Sequence, residues 1–143
     1  MNLITPFPMD RAPALCRWLN HPREAHFADG EASDLGAVTA LLAKKTAEGQ
    51  TFGARLMHPG CMNGELIGFI GFRPHAPHEG QYCGMVIAPE HRGRGHGKRF
   101  LALVATVLKE QGYEWTWAQL SPDNHAIRAT FAAAARAIET RPS

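Results

Sequence analysis

The stretch APEHRGRGHGKRF, Ala88 to Phe100, limits what this chain can fold into more than any other. Gly93, Gly95 and Gly97 alternate through it among Arg92, Arg94, Lys98 and Arg99. The residues before it, QYCGMVIAP (Gln81 to Pro89), are β-formers stopped by a proline. After it, Phe100, Leu101, Val104, Val107 and Leu108 recur at helical spacing, with Gly112 as a stop. A strand, a glycine-rich loop and a helix form a phosphate-binding arrangement. Glycine allows positive φ and close backbone approach. The first N–H groups of the helix and its dipole then favour an anion. The cationic side chains add full charges.

The neighbouring sequence supplies a sheet for this unit. ELIGFIGFR (Glu65 to Arg73) sets Leu66, Ile70 and Phe72 on one face and Ile67 and Phe69 on the other, as a central strand does. CMNG reads as a turn, and TFGARLM (Thr51 to Met57) as the hairpin partner. RPHAPHEG breaks the pattern with two prolines and a glycine. YEWTWAQL reads as a strand with Trp115 and Trp117 on one face, expected in core or edge packing rather than as a substrate cage. Ser121, Asp123 and Asn124 can cap a helix running to about Glu139. Nearer the start, MDRAPALCRWLN reads as a short helix ended near Asn20 by His21-Pro22. Ser33 to Gly49 reads as a second helix, opened by Ser33 or Asp34. The order is a short strand, two helices, three strands, a helix, a strand and a helix. That is an α/β chain with a mixed central β-sheet flanked by helices, read as a single domain over residues 1–143.

Three phosphate patterns compete for the loop. G-x-x-x-x-G-K-S/T fails at Arg92 and at Arg99. G-x-G-x-x-G fails because Lys98 stands at the sixth position. Arg/Gln-x-x-Gly-x-Gly/Ala is met by Arg92, Gly95 and Gly97. A solvated turn and a small RNA-contacting patch are the other readings of such a loop. The flanking strand and amphipathic helix argue against disorder. A net charge of +2 is low for a protein devoted to nucleic acid. No apolar run nears the roughly 18 residues that span a bilayer, and the start lacks a signal-peptide pattern, so the chain reads as cytoplasmic. Cys16, Cys61 and Cys83 are widely spaced and suggest free thiols. His75 and His78 have no obvious third ligand, so no metal is expected.

VIAPEHRGRGHGKRFL resembles the acetyl-CoA signature of the GNAT N-acetyltransferase superfamily. NHAIRATF resembles that family's second motif, an Asn opening the last helix. LCRWLNHPREAHF is similar to the N-terminal helix of the ribosomal-protein N-acetyltransferase branch. The resemblance implies a GNAT fold and acetyl transfer from acetyl-CoA to a primary amine. It implies a cofactor site made of Arg92, Gly93, Arg94, Gly95, His96, Gly97, Lys98 and Asn124. It also implies that the strand before the loop splays from the strand after it. The main chain of Met85, Val86 and Ile87 would then pair with the pantetheine arm, and an N–H there would polarise the thioester carbonyl.

The chain departs from the family at three places. Phe131 stands where many members carry a Tyr that protonates the thiolate. Gln119 stands where the ribosomal-protein branch has a Glu base. FAAAARAIETRPS replaces the family's closing strands, so the fold reads as truncated at its C-terminal end, with a sheet edge that a second copy would cover. Glu79, His78 and Glu65 are the remaining candidate bases, and Tyr82 and Cys83 the candidate acids. The alternative is an acetyl-CoA-binding relic or sensor without useful turnover.

Overall fold

The computed structural model describes residues 2–20, 26–28, 34–58, 61–120, 122 and 124–139. Six strands form one sheet: β1 (Asn2–Pro6), β2 (His26–Ala28), β3 (Gln50–His58), β4 (Cys61–Ala76), β5 (Glu79–Ile87) and β6 (Trp115–Trp117). Four helices accompany them: α1 (Ala12–Leu19), α2 (Leu35–Glu48), α3 (His96–Glu110) and α4 (His125–Glu139). The sheet order is β1-β3-β4-β5-β2, with β6 also on β5. β6 pairs with β5 in parallel and every other pairing is antiparallel.

Both faces of the sheet are buried. Ile70, Phe72, Met85 and Ile87 pack with Phe100, Leu101, Val104 and Leu108 of α3. Phe69 and Val86 pack instead with Leu15 and Trp18 of α1 and Val38 and Leu42 of α2. Burial on both sides explains why β4 and β5 read as nearly continuous apolar runs rather than alternating ones.

The α2 bounds follow from local chemistry. Asp34 is the N-cap, and its Oδ1 accepts from the Ala37 N–H at 2.7 Å. Gly49 ends the helix, and its N–H donates to the Lys45 carbonyl at 3.1 Å. Asp34→Ala is expected to cost about 1 kcal/mol, the usual value of an N-cap. Urea unfolding would show it as a lower midpoint at unchanged slope.

Several expected boundaries move. Cys61 belongs to β4, so the strand begins where a turn was expected. β4 also runs through Pro74 to Ala76, and the turn shrinks to Pro77 and His78. His78 carries the change of direction with φ 65, in the left-handed region. β5 stops at Ile87, because Pro89 opens a 3-10 turn, Pro89–His91. The YEWTWAQL strand is only three residues long, and Trp115 is 70% exposed rather than packed. Ser33, the other expected cap of α2, lies outside the described residues, as do Ser121 and Asp123.

Leu66 and Ile67 exchange faces relative to strict alternation. Ala54 pairs with Gly68 and Arg55 with Leu66, so Ile67 is an extra residue in β4. The bulge turns Ile67 toward α3 and Leu66 toward α1. A second irregularity interrupts β5. Phe72 pairs with Tyr82 but Gly71 with Gly84, which leaves Cys83 over. Finally, β2 was not foreseen at all. It lies on β5, with His26 opposite Val86, Phe27 opposite Met85 and Ala28 opposite Gly84.

Candidate functional site

The glycine-rich loop leaves the end of β5 and enters α3. Its geometry begins with a clamp. His91 is buried, and its Nε2 lies 2.9 Å from Glu65 Oε2, which ties the 3-10 turn to β4. The next residue, Arg92, turns inward. Its Nε donates to the Ile87 carbonyl at 2.8 Å and its Nη2 to the Trp18 carbonyl at 3.4 Å. Trp18 offers one of the last carbonyls of α1, so the guanidinium also meets the negative end of that helix. Burial lowers the Arg92 pKa, with Glu90 acting the other way. The side chain therefore fastens α1 to the strand end.

The three glycines have different reasons. Gly93 has φ 78 and open space where a Cβ would stand, so only its backbone angle needs glycine. Gly95 is the N-cap of α3 with φ 80. Gly97 lies inside α3. A Cβ there would sit 3.2 Å from Met85 Cε and 3.4 Å from Thr130 Cγ2, so this glycine lets α3 approach β5 and α4. Gly93, Arg94, Gly95 and Lys98 are exposed. The first turn of α3 beneath them has N–H groups with no intrahelical acceptor.

His96 is buried at the start of α3. Its Nδ1 accepts from Arg99 Nη2 at 3.2 Å, and the same Nη2 donates to the Arg94 carbonyl at 3.0 Å. Burial lowers the His96 pKa, and the nearby Arg99, His91 and Arg94 lower it further. The imidazole is therefore neutral at neutral pH. A pKa lower in the folded chain than in the unfolded one means that stability rises with pH, so this contribution is lost as pH falls below the usual imidazole range. Arg99 was absent from the expected site, yet it braces the loop from one turn further on. Its i, i+3 spacing from His96 was the available signal.

Asn124 caps α4. Its Oδ1 accepts from the Ile127 N–H at 3.3 Å and its carbonyl from the Arg128 N–H at 3.1 Å. Phe131, two turns along, meets the Tyr82 ring edge-on at 5.7 Å between centroids. The Tyr82 hydroxyl donates to Thr116 Oγ1 of β6 at 3.2 Å. Burial pushes the Tyr82 phenol above its usual value of 10.0, with the Thr116 bond working against it.

The candidate bases are not brought together. Glu79 begins β5, five residues and about 16 Å of extended chain from Gly84. Its Oε2 is 3.9 Å from His75 Nε2. His78 Nδ1 lies 2.9 Å from the Gly112 carbonyl, beside an open cavity of about 480 Å³ lined by Pro74, His75, Tyr113 and their neighbours. Glu65 is at the other end of the sheet, on His91.

Ligand atoms of Glu65, Glu90 and His91 come within 4.8 Å of one another, a metal-sized grouping that sequence spacing did not reveal. His91 Nδ1 is buried without a hydrogen-bond partner. A metal on Nε2 would place the ring proton on that nitrogen, with nothing to accept it. The tautomer that donates from Nε2 to Glu65 leaves Nδ1 as a bare acceptor instead of a bare donor. Glu65 Oε2 and His91 Nε2 already pair with each other, which makes the trio a clamp between the turn and β4.

Two left-handed glycines thus stand above the N-terminus of α3, at the end of a central strand of a mixed α/β sheet. Residues 12–134 match the family model for the acetyltransferase (GNAT) family. The chain belongs to that family. It is 30% identical to the mycothiol acetyltransferase of Tsukamurella paurometabola over an alignment of 112 residues, which takes in 68% of this chain and 36% of that protein. The chain thus spans about a third of that relative's length. Among solved structures it resembles the ribosomal-protein-S18-alanine N-acetyltransferase of Escherichia coli, with a TM-score of 0.67 and 16% identity over 93% of this chain and 76% of that one. It also resembles AAC(6')-Ib in a complex containing acetyl-CoA, with a TM-score of 0.72 and 17% identity over 93% and 81%. Identities this low speak for the fold. Among the described residues, no helix is long and apolar enough to cross a membrane.

Proposed function

We propose that the protein transfers an acetyl group from acetyl-CoA to a primary amine. The observation that carries this reading is the glycine turn into α3, with left-handed Gly93 and Gly95 exposed above the first helical turn. In this reading the backbone of Gly93 to Lys98 holds the diphosphate, and Arg94 and Lys98 supply the exposed charge. Arg92, His96 and Asn124 serve as scaffold for that loop and for α4. Met85, Val86 and Ile87 offer the edge for the pantetheine arm.

The reaction asks little of side chains. The amine nitrogen attacks the thioester carbonyl, a C–N bond forms, the C–S bond breaks, nitrogen loses a proton and sulfur gains one. We assign the deprotonation to water rather than to Glu79, which stands too far along β5. Phe131 has no proton to give. Tyr82, packed against it, is the phenol we place in that role, and burial keeps it protonated at neutral pH.

Thiol release from acetyl-CoA with a panel of peptide N-termini, polyamines, aminoglycosides and small amines tests the reading. Tyr82→Phe is expected to lower turnover by about tenfold or more while leaving acetyl-CoA affinity unchanged. Phe131→Tyr is expected to preserve or raise it. Tight acetyl-CoA binding with no turnover for any amine would favour the second reading, a binding protein without catalysis. The hydrocarbon ring at Phe131 is the feature that supports that alternative.

A further inference from the structure

The edge of β5 that faces away from β4 carries two partners in succession. β6 pairs there in parallel at Glu79, Gly80 and Gln81. Pairing with β6 then stops. Beyond Cys83, the residue left over in the pairing with β4, β2 takes the same edge at Gly84, Met85 and Val86. β2 comes from the connection between α1 and α2, residues 20–34, long for two helices packed on the same face of a sheet. A strand edge offers one set of N–H and C=O groups. Two extended chains cannot use it at once.

We propose that β2 is an internal competitor for the acetyl-CoA site, a strap that must leave β5 before the pantetheine arm can pair. The inference rests on the acetyl-CoA reading above. Its energetics follow from size. β2 covers three residues, so the strap can be displaced by a ligand that also gains the glycine loop. The apparent affinity for acetyl-CoA is then the intrinsic one reduced by the fraction of molecules with the edge open. Loop and strap act in sequence: the loop captures the diphosphate from solvent, and the arm replaces β2 along Gly84 to Val86.

Two measurements test this. In the native protein, amide hydrogen exchange should show the His26–Ala28 amides losing protection when acetyl-CoA is added, while those of Gly84–Val86 stay protected by the new partner. Neighbouring residues of an antiparallel strand alternate between pairing and non-pairing N–H groups. The double variant Phe27→Pro/Ala28→Pro therefore removes one that faces β5, whichever of the two it is. By calorimetry this variant should bind acetyl-CoA about tenfold more tightly, since the lost N–H and the proline rings leave the edge of β5 open to the ligand more of the time. Protection of His26–Ala28 that persists at saturating acetyl-CoA would overturn the proposal, because strap and ligand would then coexist. Weaker binding by the double variant would also overturn it, by making β2 part of the binding site. If neither the native protein nor the variant binds acetyl-CoA, the ligand reading itself fails and this inference falls with it.

Discussion

Gly95→Val should abolish acetyl-CoA binding and leave the protein folded. Gly95 holds φ 80 as the N-cap of α3. A β-branched residue there is strained by about 1–2 kcal/mol or more, and relaxes by flipping the peptides on either side. Those peptides aim the first free N–H groups. The added Cβ would also stand 3.2 Å from Arg99 Nη1, whose guanidinium is already held by Arg94 and His96. Losing two charge-assisted backbone contacts corresponds to a weakening of at least about a hundredfold. Tm should fall only by the few degrees that this strain represents, because the loop is exposed and no core side chain moves. Calorimetry showing native affinity in this variant would remove the loop from the binding site. Gly97→Val is a different experiment. Its Cβ would press on Met85 and Thr130, so it should loosen α3 and lower stability as well as affinity.

The largest effect on stability is expected at a glycine far from the loop. In Gly80→Ala the new methyl would land on the Phe72 ring, 2.6 Å from Cε2 and 2.8 Å from Cε1. Phe72 has no exposed surface. Tyr82 and Tyr113 brace it edge-on, with centroids at 5.4 and 5.0 Å. The ring has no free direction in which to yield, so relief must come from β5 or β6. Overpacking of this kind costs typically 1–3 kcal/mol, and the upper end applies here. At this chain length that is a fall in Tm of about 10 °C. A Tm within about 2 °C of the native value would show that the seam between β4 and β5 is slack, contrary to the packing described.

The strand, glycine turn and helix were legible in the sequence because their parts are local. The strand, the alternating glycines and the helical spacing from Phe100 to Leu108 lie side by side. The α2 ends were legible for the same reason, since Asp34 and Gly49 act within one turn. What could not be read depends on distant chain. Arg92 looks like a ligand contact until the Trp18 carbonyl, 74 residues away, is brought to it. Gly97 looks like its neighbours until Met85 and Thr130 close around it. The bulge at Ile67 exists only in the register with β3, so alternation assigned Leu66 and Ile67 to the wrong faces. β2 is three residues long, shorter than any pattern that periodicity can detect. It occupies the edge at Met85 and Val86 that the family resemblance gives to the ligand.

The meander β3-β4-β5 has a consequence for how the chain assembles. Only two residues separate each strand from the next, so each pairing closes a short loop. β1 must reach β3 across α1 and α2, and β6 must reach β5 across α3. Closing those longer loops costs more chain entropy before any contact repays it. The meander is thus the part of the sheet that can form from its own neighbourhood, and the other strands need it as a template. The glycine turn follows on from β5, the last strand of the meander. β6 and β2, which share the remaining edge of β5, reach it across longer stretches of chain. Strand β5 therefore closes a short loop along one edge and long loops along the other.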